Sequence, residues 1–300
     1  MLAVALLVLG APSAAAAPVH GACPGMRGSL YYTVAGKEHR VALATCTERV
    51  VRGPHRVYPQ VSGVTTTGGS PAVERLYVHG RLVFTHWETG PLVPLLLSGD
   101  RRWVFFLVDE YGGYSSIADG TDVFVVSTHG GQAHDLGKVL PDPDYLTWCG
   151  GHVVYTPGTD RVVIHGKKLL AAAPPDWRPR TLWDDPARSF GSPACEPGRD
   201  AVAVLSQRSS AVANFFATRW RLWRVGLDGS RHVIDVPPAG WADEEPTWSP
   251  DGNAIAFVRE RNGYGRIMIR RNRRLEGPIA QLGYALGYYG HHDWGLAWRP

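Results

Sequence analysis

The 300-residue sequence has none of the short motifs that mark common catalytic sites. It lacks Gly-x-Ser-x-Gly, so there is no nucleophile elbow. It also lacks His-Glu-x-x-His, a phosphate loop and a dinucleotide fingerprint. A catalytic site built from scattered surface residues leaves no such motif, so these absences lower an enzyme reading without removing it. Cysteine is sparse: there are four, and none forms Cys-x-x-Cys, which argues against zinc and redox sites of that type. Neither sign of charge dominates. Lys plus Arg number 31 and Asp plus Glu 27, for a net +4 and a pI near 8.9. That balance is too mild to point to nucleic acid.

The N-terminus, "MLAVALLVLGAPSAAAAPVHG", is an apolar run followed by small residues. It matches a secretory signal, although no Lys or Arg precedes the run. It is too short to span a bilayer comfortably as a permanent helix. Cleavage after Ala16 satisfies the small-x-small rule, giving a signal over 1–16 and a mature domain over 17–300. His20-Gly21-Ala22 ahead of Cys23 is wrong for lipid attachment. The expectation is a secreted or extracytoplasmic monomer without a permanent membrane anchor.

Repeats organise the rest of the chain. In "EEPTWSPDGNAIAFVRE" (244–260), Ser249-Pro250-Asp251-Gly252 is a tight turn between two extended runs. A lone hairpin cannot bury its faces, so copies are required. They occur at "LLSGDRRWVFFLV" (96–108), "LTWCGGHVVYTP" (146–157) and "PACEPGRDAVAVLSQ" (193–207), with a terminal half-copy, "LAWRP". The anchor positions are 97, 148, 195, 248 and 298. Second hairpins lie between them at 29–45, 74–87, 122–137, 160–172, 220–236 and 265–283, each with a turn residue such as Gly80, Gly130-Gly131, Gly166 or Asp228-Gly229. Units of about fifty residues with four short strands predict a β-propeller. Six second hairpins predict an all-β fold of six four-stranded blades. The terminal half-unit predicts closure of the ring between N- and C-terminal strands.

Trp-Ser-Pro-Asp-Gly followed by Ile-Ala-Phe resembles the repeat of TolB-like propellers, also found in the propeller domains of prolyl-oligopeptidase-type peptidases. The resemblance is strongest at 244–260. It implies a six-bladed fold and a general role as a binding scaffold, and it transfers no catalytic residue. No hydrolase domain follows the propeller, so a whole peptidase of that type is not expected.

Four cysteines fit export and allow three pairings. Cys149 and Cys195 occupy nearly equivalent corners of adjacent units, so they can meet. Cys23 and Cys46 flank the first hairpin. The rival reading is four free thiols in a cytoplasmic protein.

In propellers the linker entering each first strand and the loop between second and third strands share one face. Here that face is expected to carry Asp109, Glu110, Tyr111, Asp144, Arg188, Arg208, Arg219, Asp243, Glu244, Tyr264, His291, His292 and Asp293. Charges of both signs with aromatics suit recognition of a protein, a peptide or a cell-envelope glycan. The blander expectations are that Asp243-Glu244-Glu245 faces solvent, that Arg219 and Asp243 form an inter-blade ion pair, and that the basic run 266–277 is a solvated edge. His291 and His292 are adjacent, so in a strand they point to opposite faces and cannot share a metal. No cofactor is expected. The alternative function is a lactonase- or lyase-like propeller enzyme with its site at the channel mouth.

Overall fold

A computed structural model describes residues 25–34, 36–51, 61–69, 73–87, 90–108, 121–139, 146–157, 168–208, 219–284 and 294–300. The described residues are strands and connections, in six antiparallel sheets. Blade 1 runs outward from β23 (Ala297–Arg299) through β1 (Ser29–Val34) and β2 (Lys37–Ala42) to β3 (Thr47–Val51). Blade 2 holds β4 (Val64–Gly69), β5 (Val73–Val78) and β6 (Arg81–His86). Blade 3 holds β7 (Leu92–Leu97), β8 (Trp103–Val108), β9 (Thr121–Ser127) and β10 (His134–Val139). Blade 4 holds β11 (Leu146–Cys149), β12 (His152–Tyr155), β13 (Lys168–Ala172) and β14 (Arg180–Asp184). Blade 5 holds β15 (Arg188–Cys195), β16 (Ala201–Arg208), β17 (Arg221–Gly226) and β18 (Arg231–Asp235). Blade 6 holds β19 (Ala242–Trp248), β20 (Ala254–Arg261), β21 (Tyr264–Arg271) and β22 (Arg274–Tyr284).

The innermost strands follow one another around the ring: β4 touches β7, then β11, β15, β19 and β23 in turn. The ring closes as the terminal half-unit requires. β23 pairs with β1, setting Leu30 opposite Trp298 and Ser29 opposite Arg299. The hydrophobic cores lie between blades, because each sheet alternates its side chains onto two faces and both must be covered. One core joins Leu30, Tyr32 and Leu43 of blade 1 to Ala256, Val258 and Ile267 of blade 6. Another joins Ala203, Leu205 and Leu222 of blade 5 to Ile255, Phe257 and Met268 of blade 6.

The repeat motif works locally as its chemistry demands. Ser249 Oγ donates to Asp251 Oδ1 (2.6 Å) and accepts from Ala254 N (2.9 Å), which closes the turn. Gly252 has φ +70°, and a Cβ there would come 2.9 Å from Pro197 O of the neighbouring blade. Trp248 Nε1 donates to Ala194 O (3.2 Å), so the repeated tryptophan ties its blade to the one before. Ser98 and Asp100 form the same turn in blade 3, at 2.5 Å.

Two details differ from the expected pattern. The hairpins at 29–45 and 74–87 supply second and third strands rather than third and fourth, because β23 and β4 stand inside them. In blade 4, β13 pairs outward with β14 across the prolines at 174–175, so the outer hairpin is 168–184. Of the expected hairpin at 160–172, residues 168–172 form the third strand and 160–167 lie outside the described residues. Among the described residues blade 2 has three strands, since only 87–91 separate β6 from β7. That leaves a groove of about 690 Å³ beside Leu82, Phe84 and Phe124.

Cys149 and Cys195, at the ends of adjacent inner strands, form a disulfide with Cα atoms 5.2 Å apart. Cys46 is also disulfide-bonded. Cys23 and the expected signal over 1–16 lie outside the described residues.

Candidate functional site

The joint between blades 5 and 6 gathers more buried charge than any other described part of the molecule. Its register follows from the turn at Asn262-Gly263. That turn pairs Arg259 with Arg266 and Arg261 with Tyr264, while Asp243 on β19 lies opposite Arg259. Residues directly paired in a sheet project to one face, so all five sit on the face that meets blade 5.

The floor of this joint is an ion network. Arg259 Nε donates to Asp243 Oδ1 at 2.7 Å, and Nη2 donates to Asp243 Oδ2 at 3.1 Å. The same Nη2 donates to Asp235, from the last strand of blade 5. Arg270 donates to the other oxygen of Asp235. Burial pushes the Asp243 carboxyl up; Arg259 pulls it down, Asp235 adds to the rise, and the result is about 7. Burial alone would lower Arg259, but the Asp243 and Asp235 carboxylates hold it above its ordinary value.

The rim is different. Arg266 lies over the Trp241 ring at 4.0 Å, and Arg261 lies over the same ring at 5.7 Å. Arg266 Nε is buried with no hydrogen-bond partner, and among the described residues no carboxylate pairs with either rim arginine. Burial, then the Arg259 charge, hold Arg266 below its ordinary value. Tyr264 and Tyr284 are each 60% exposed, with ring centroids 5.5 Å apart. Gly263 permits this, since a Cβ there would stand 2.4 Å from the Tyr284 ring.

The sequence-predicted residues separate into three groups. Tyr264 is on the rim, and Arg219 and Arg208 are exposed on blade 5, where Arg219 N donates to the Gln207 side chain at 2.9 Å. Arg188 is half-buried, bound to Asp185 at 3.1 Å and stacked near Trp183 and Trp223. Asp243 and Glu244 are fully buried and Glu245 nearly so, which corrects the expectation that this run faces solvent. The cause is a bulge between Glu244 and Thr247, with Glu245 at φ +48°. It turns the Glu245 carboxylate onto Trp294 N (2.5 Å) and Leu296 N (2.8 Å). Asp243 pairs with Arg259, not with Arg219. Asp109, Glu110, Tyr111, Asp144, His291, His292 and Asp293 lie outside the described residues.

Trp241, Arg261 and Arg266 were not singled out by sequence reasoning. Arg266 sits in a run expected to be a solvated edge, a description that holds for Arg273 and Arg274 but not for Arg266 or Arg270. The available signal was the two-residue turn, which forces two arginines opposite each other and so requires a nearby acid. A second cavity, about 350 Å³, lies among the inner strands and is lined by Thr147, Ser192, Thr247 and Leu296. Among the described residues no three His, Cys, Asp or Glu side chains converge as metal ligands.

The sheets and their order define a six-bladed β-propeller. Its fold is similar to that of a protein assigned as TolB from Agrobacterium tumefaciens, at 16% identity over 92% of this chain and 99% of that one, with a TM-score of 0.49. It is similar to TolB from Acinetobacter baumannii at 12% identity, 86% and 68% coverage and a TM-score of 0.44. A prolyl endopeptidase matches at 12% identity over 89% of this chain, with a TM-score of 0.46; the chain spans 45% of that protein's length. No protein-family model matches the sequence, and no curated protein does. These likenesses concern fold, and the site's chemistry rests on its own residues.

Proposed function

We propose that the protein is an extracytoplasmic binding scaffold that holds a protein, peptide or cell-envelope glycan on its linker-and-loop face. The observation that carries this reading is the rim of the joint between blades 5 and 6. Two arginines share Trp241 without a paired carboxylate among the described residues, beside two exposed tyrosines. A buried guanidinium nitrogen without an acceptor costs stability unless a ligand uses it, and arginines and aromatics dominate recognition surfaces. Arg208 and Arg219 extend the same basic face across blade 5. The disulfide between blades 4 and 5 is compatible with an oxidising compartment. The signal over 1–16, a monomeric state and the contributions of Asp109, Glu110, Tyr111, Asp144, Arg188, His291, His292 and Asp293 belong to this proposal.

Photo-crosslinking tests the assignment. A photoreactive residue at position 264 should capture a component of the extracellular or envelope fraction. The same residue at position 230, in the turn at the opposite end of blade 5, should capture nothing. Equal capture at both positions, or capture at 230 alone, contradicts the reading.

A further inference from the structure

We infer that the rim of the joint between blades 5 and 6 binds an acidic carbohydrate, a sugar ring that carries a carboxylate; this deepens the scaffold reading above and rests on it. Arg266 supplies the anion-binding group. Its guanidinium is stacked on Trp241 at 4.0 Å, so its flat fork is pre-oriented, and its buried Nε has no acceptor. A carboxylate is the planar group that matches that fork with two parallel hydrogen bonds. Among the described residues the carboxylates in the joint are already committed. Asp243 is held by Arg259, and Asp235 by Arg259 and Arg270. Glu260, on the opposite face of β20, is buried and accepts from Gly263 N. None of these reaches Arg266, so Arg259 below it adds a like charge and the rim remains a cationic position.

The carboxylate's carrier is indicated by what surrounds it. Tyr264 and Tyr284 stand 60% exposed, tilted 58° to one another, at the edge of the arginine pair. Their rings offer flat apolar faces, and their hydroxyls offer donors and acceptors at the water boundary. The apolar residues beneath, Phe257 and Met268, are sealed in the inter-blade core, so among the described residues the rim exposes neither of them to a peptide's aliphatic side chain. A pyranose suits such a surface: its C–H face lies on a ring, its hydroxyls meet polar groups, and its carboxylate meets the guanidinium.

The test is calorimetric titration of a glucuronate hexamer into the whole chain, with a neutral glucose hexamer and a hexaglutamate peptide as comparisons. The glucuronate hexamer should bind, more weakly as salt is raised, and the neutral sugar should not. Arg266→Gln should weaken binding about 10- to 100-fold, the loss that goes with a charge-assisted hydrogen bond. Tyr264→Ala should weaken it with the melting temperature unchanged. Arg231→Ala, which removes the arginine stacked on Trp183 at a different joint, should leave affinity unchanged. If Arg266→Gln fails to fold, the exposed Tyr264→Ala variant decides alone. No binding of the glucuronate hexamer, equal binding of the neutral hexamer, or wild-type affinity in Tyr264→Ala each overturns the inference. Tighter binding of hexaglutamate that is lost in the same variants overturns the sugar assignment while the scaffold reading stands. That reading falls on the crosslinking result instead.

Discussion

Asp243 is a carboxylate whose surroundings, not its sequence neighbours, set its chemistry. In the chain it stands in Asp-Glu-Glu, which reads as a solvated acidic run. In the fold it is fully buried, facing Arg259, with Asp235 sharing that arginine from the next blade. The acid's partner lies 16 residues away and becomes visible only with the β19–β20 register. A pH dependence follows. Burial raises the Asp243 carboxyl from 3.8 to about 7 in the folded state. A carboxyl raised on folding contributes stability fully below the unfolded value, and that contribution is lost as pH rises through the folded value. Wild-type melting temperature should therefore carry a decline between about pH 4 and pH 7 that Asp243→Asn lacks. Parallel melting curves for the two proteins across that window would show that Asp243 does not titrate there.

Among elements, the inner strands of blades 3, 5 and 6 each carry a register shift in mid-strand, at Pro94/Leu96, Gly191/Ala194 and Glu244/Thr247. In blade 6 the bulge aims Glu245 at two backbone N–H groups of the segment entering β23. Glu245→Ala leaves both donors without that carboxylate and should cost about 2–4 kcal/mol in denaturant unfolding, as expected for charge-assisted bonds. A loss under about 0.5 kcal/mol would mean that surface water replaces the carboxylate freely. The repeat itself was legible in the sequence because it rests on local turn chemistry: Ser98-Gly99-Asp100 and Ser249-Pro250-Asp251-Gly252 close the same turn in both blades. The bulges were not, since a bulge answers to a neighbouring strand that no local pattern names. The outer hairpin of blade 4 was misplaced for a related reason. Gly166 between two apolar runs reads as the turn of that hairpin, whereas β13 and β14, the outer pair, are joined through Pro174, Pro175 and the buried Trp177.

At the scale of the whole molecule, two devices hold the ring. One is β23 on β1, which removes an open sheet edge. Deletion of 294–300 takes away Trp294 and Trp298, both in the core that joins blades 6 and 1, and should lower the melting temperature and promote association. The other device is the Cys149–Cys195 bond across 46 residues. On the chain-entropy account it is worth up to about 4 kcal/mol. Reduction should lower the unfolding midpoint accordingly; a midpoint unchanged by reductant would show that the bond adds no stability. Closure of this kind was legible from the terminal half-repeat, and so was the pairing of equivalent corners. The rim proposed for recognition was legible only through Tyr264, because Arg266 and Trp241 are brought together by contact across strands.

The central claim is that one face of the propeller recognises and the other only closes turns. Paired measurement of ligand affinity and melting temperature on the two faces tests it most directly. Tyr264→Ala removes a side chain from the rim, and Asp228→Ala removes the carboxylate that accepts from Ser230 in the β17–β18 turn. The account predicts that Tyr264→Ala loses about tenfold or more in affinity, the weight of an interface anchor, at an unchanged melting temperature. It predicts that Asp228→Ala lowers the melting temperature and keeps wild-type affinity. Affinity that falls in both variants only as far as stability falls would contradict it.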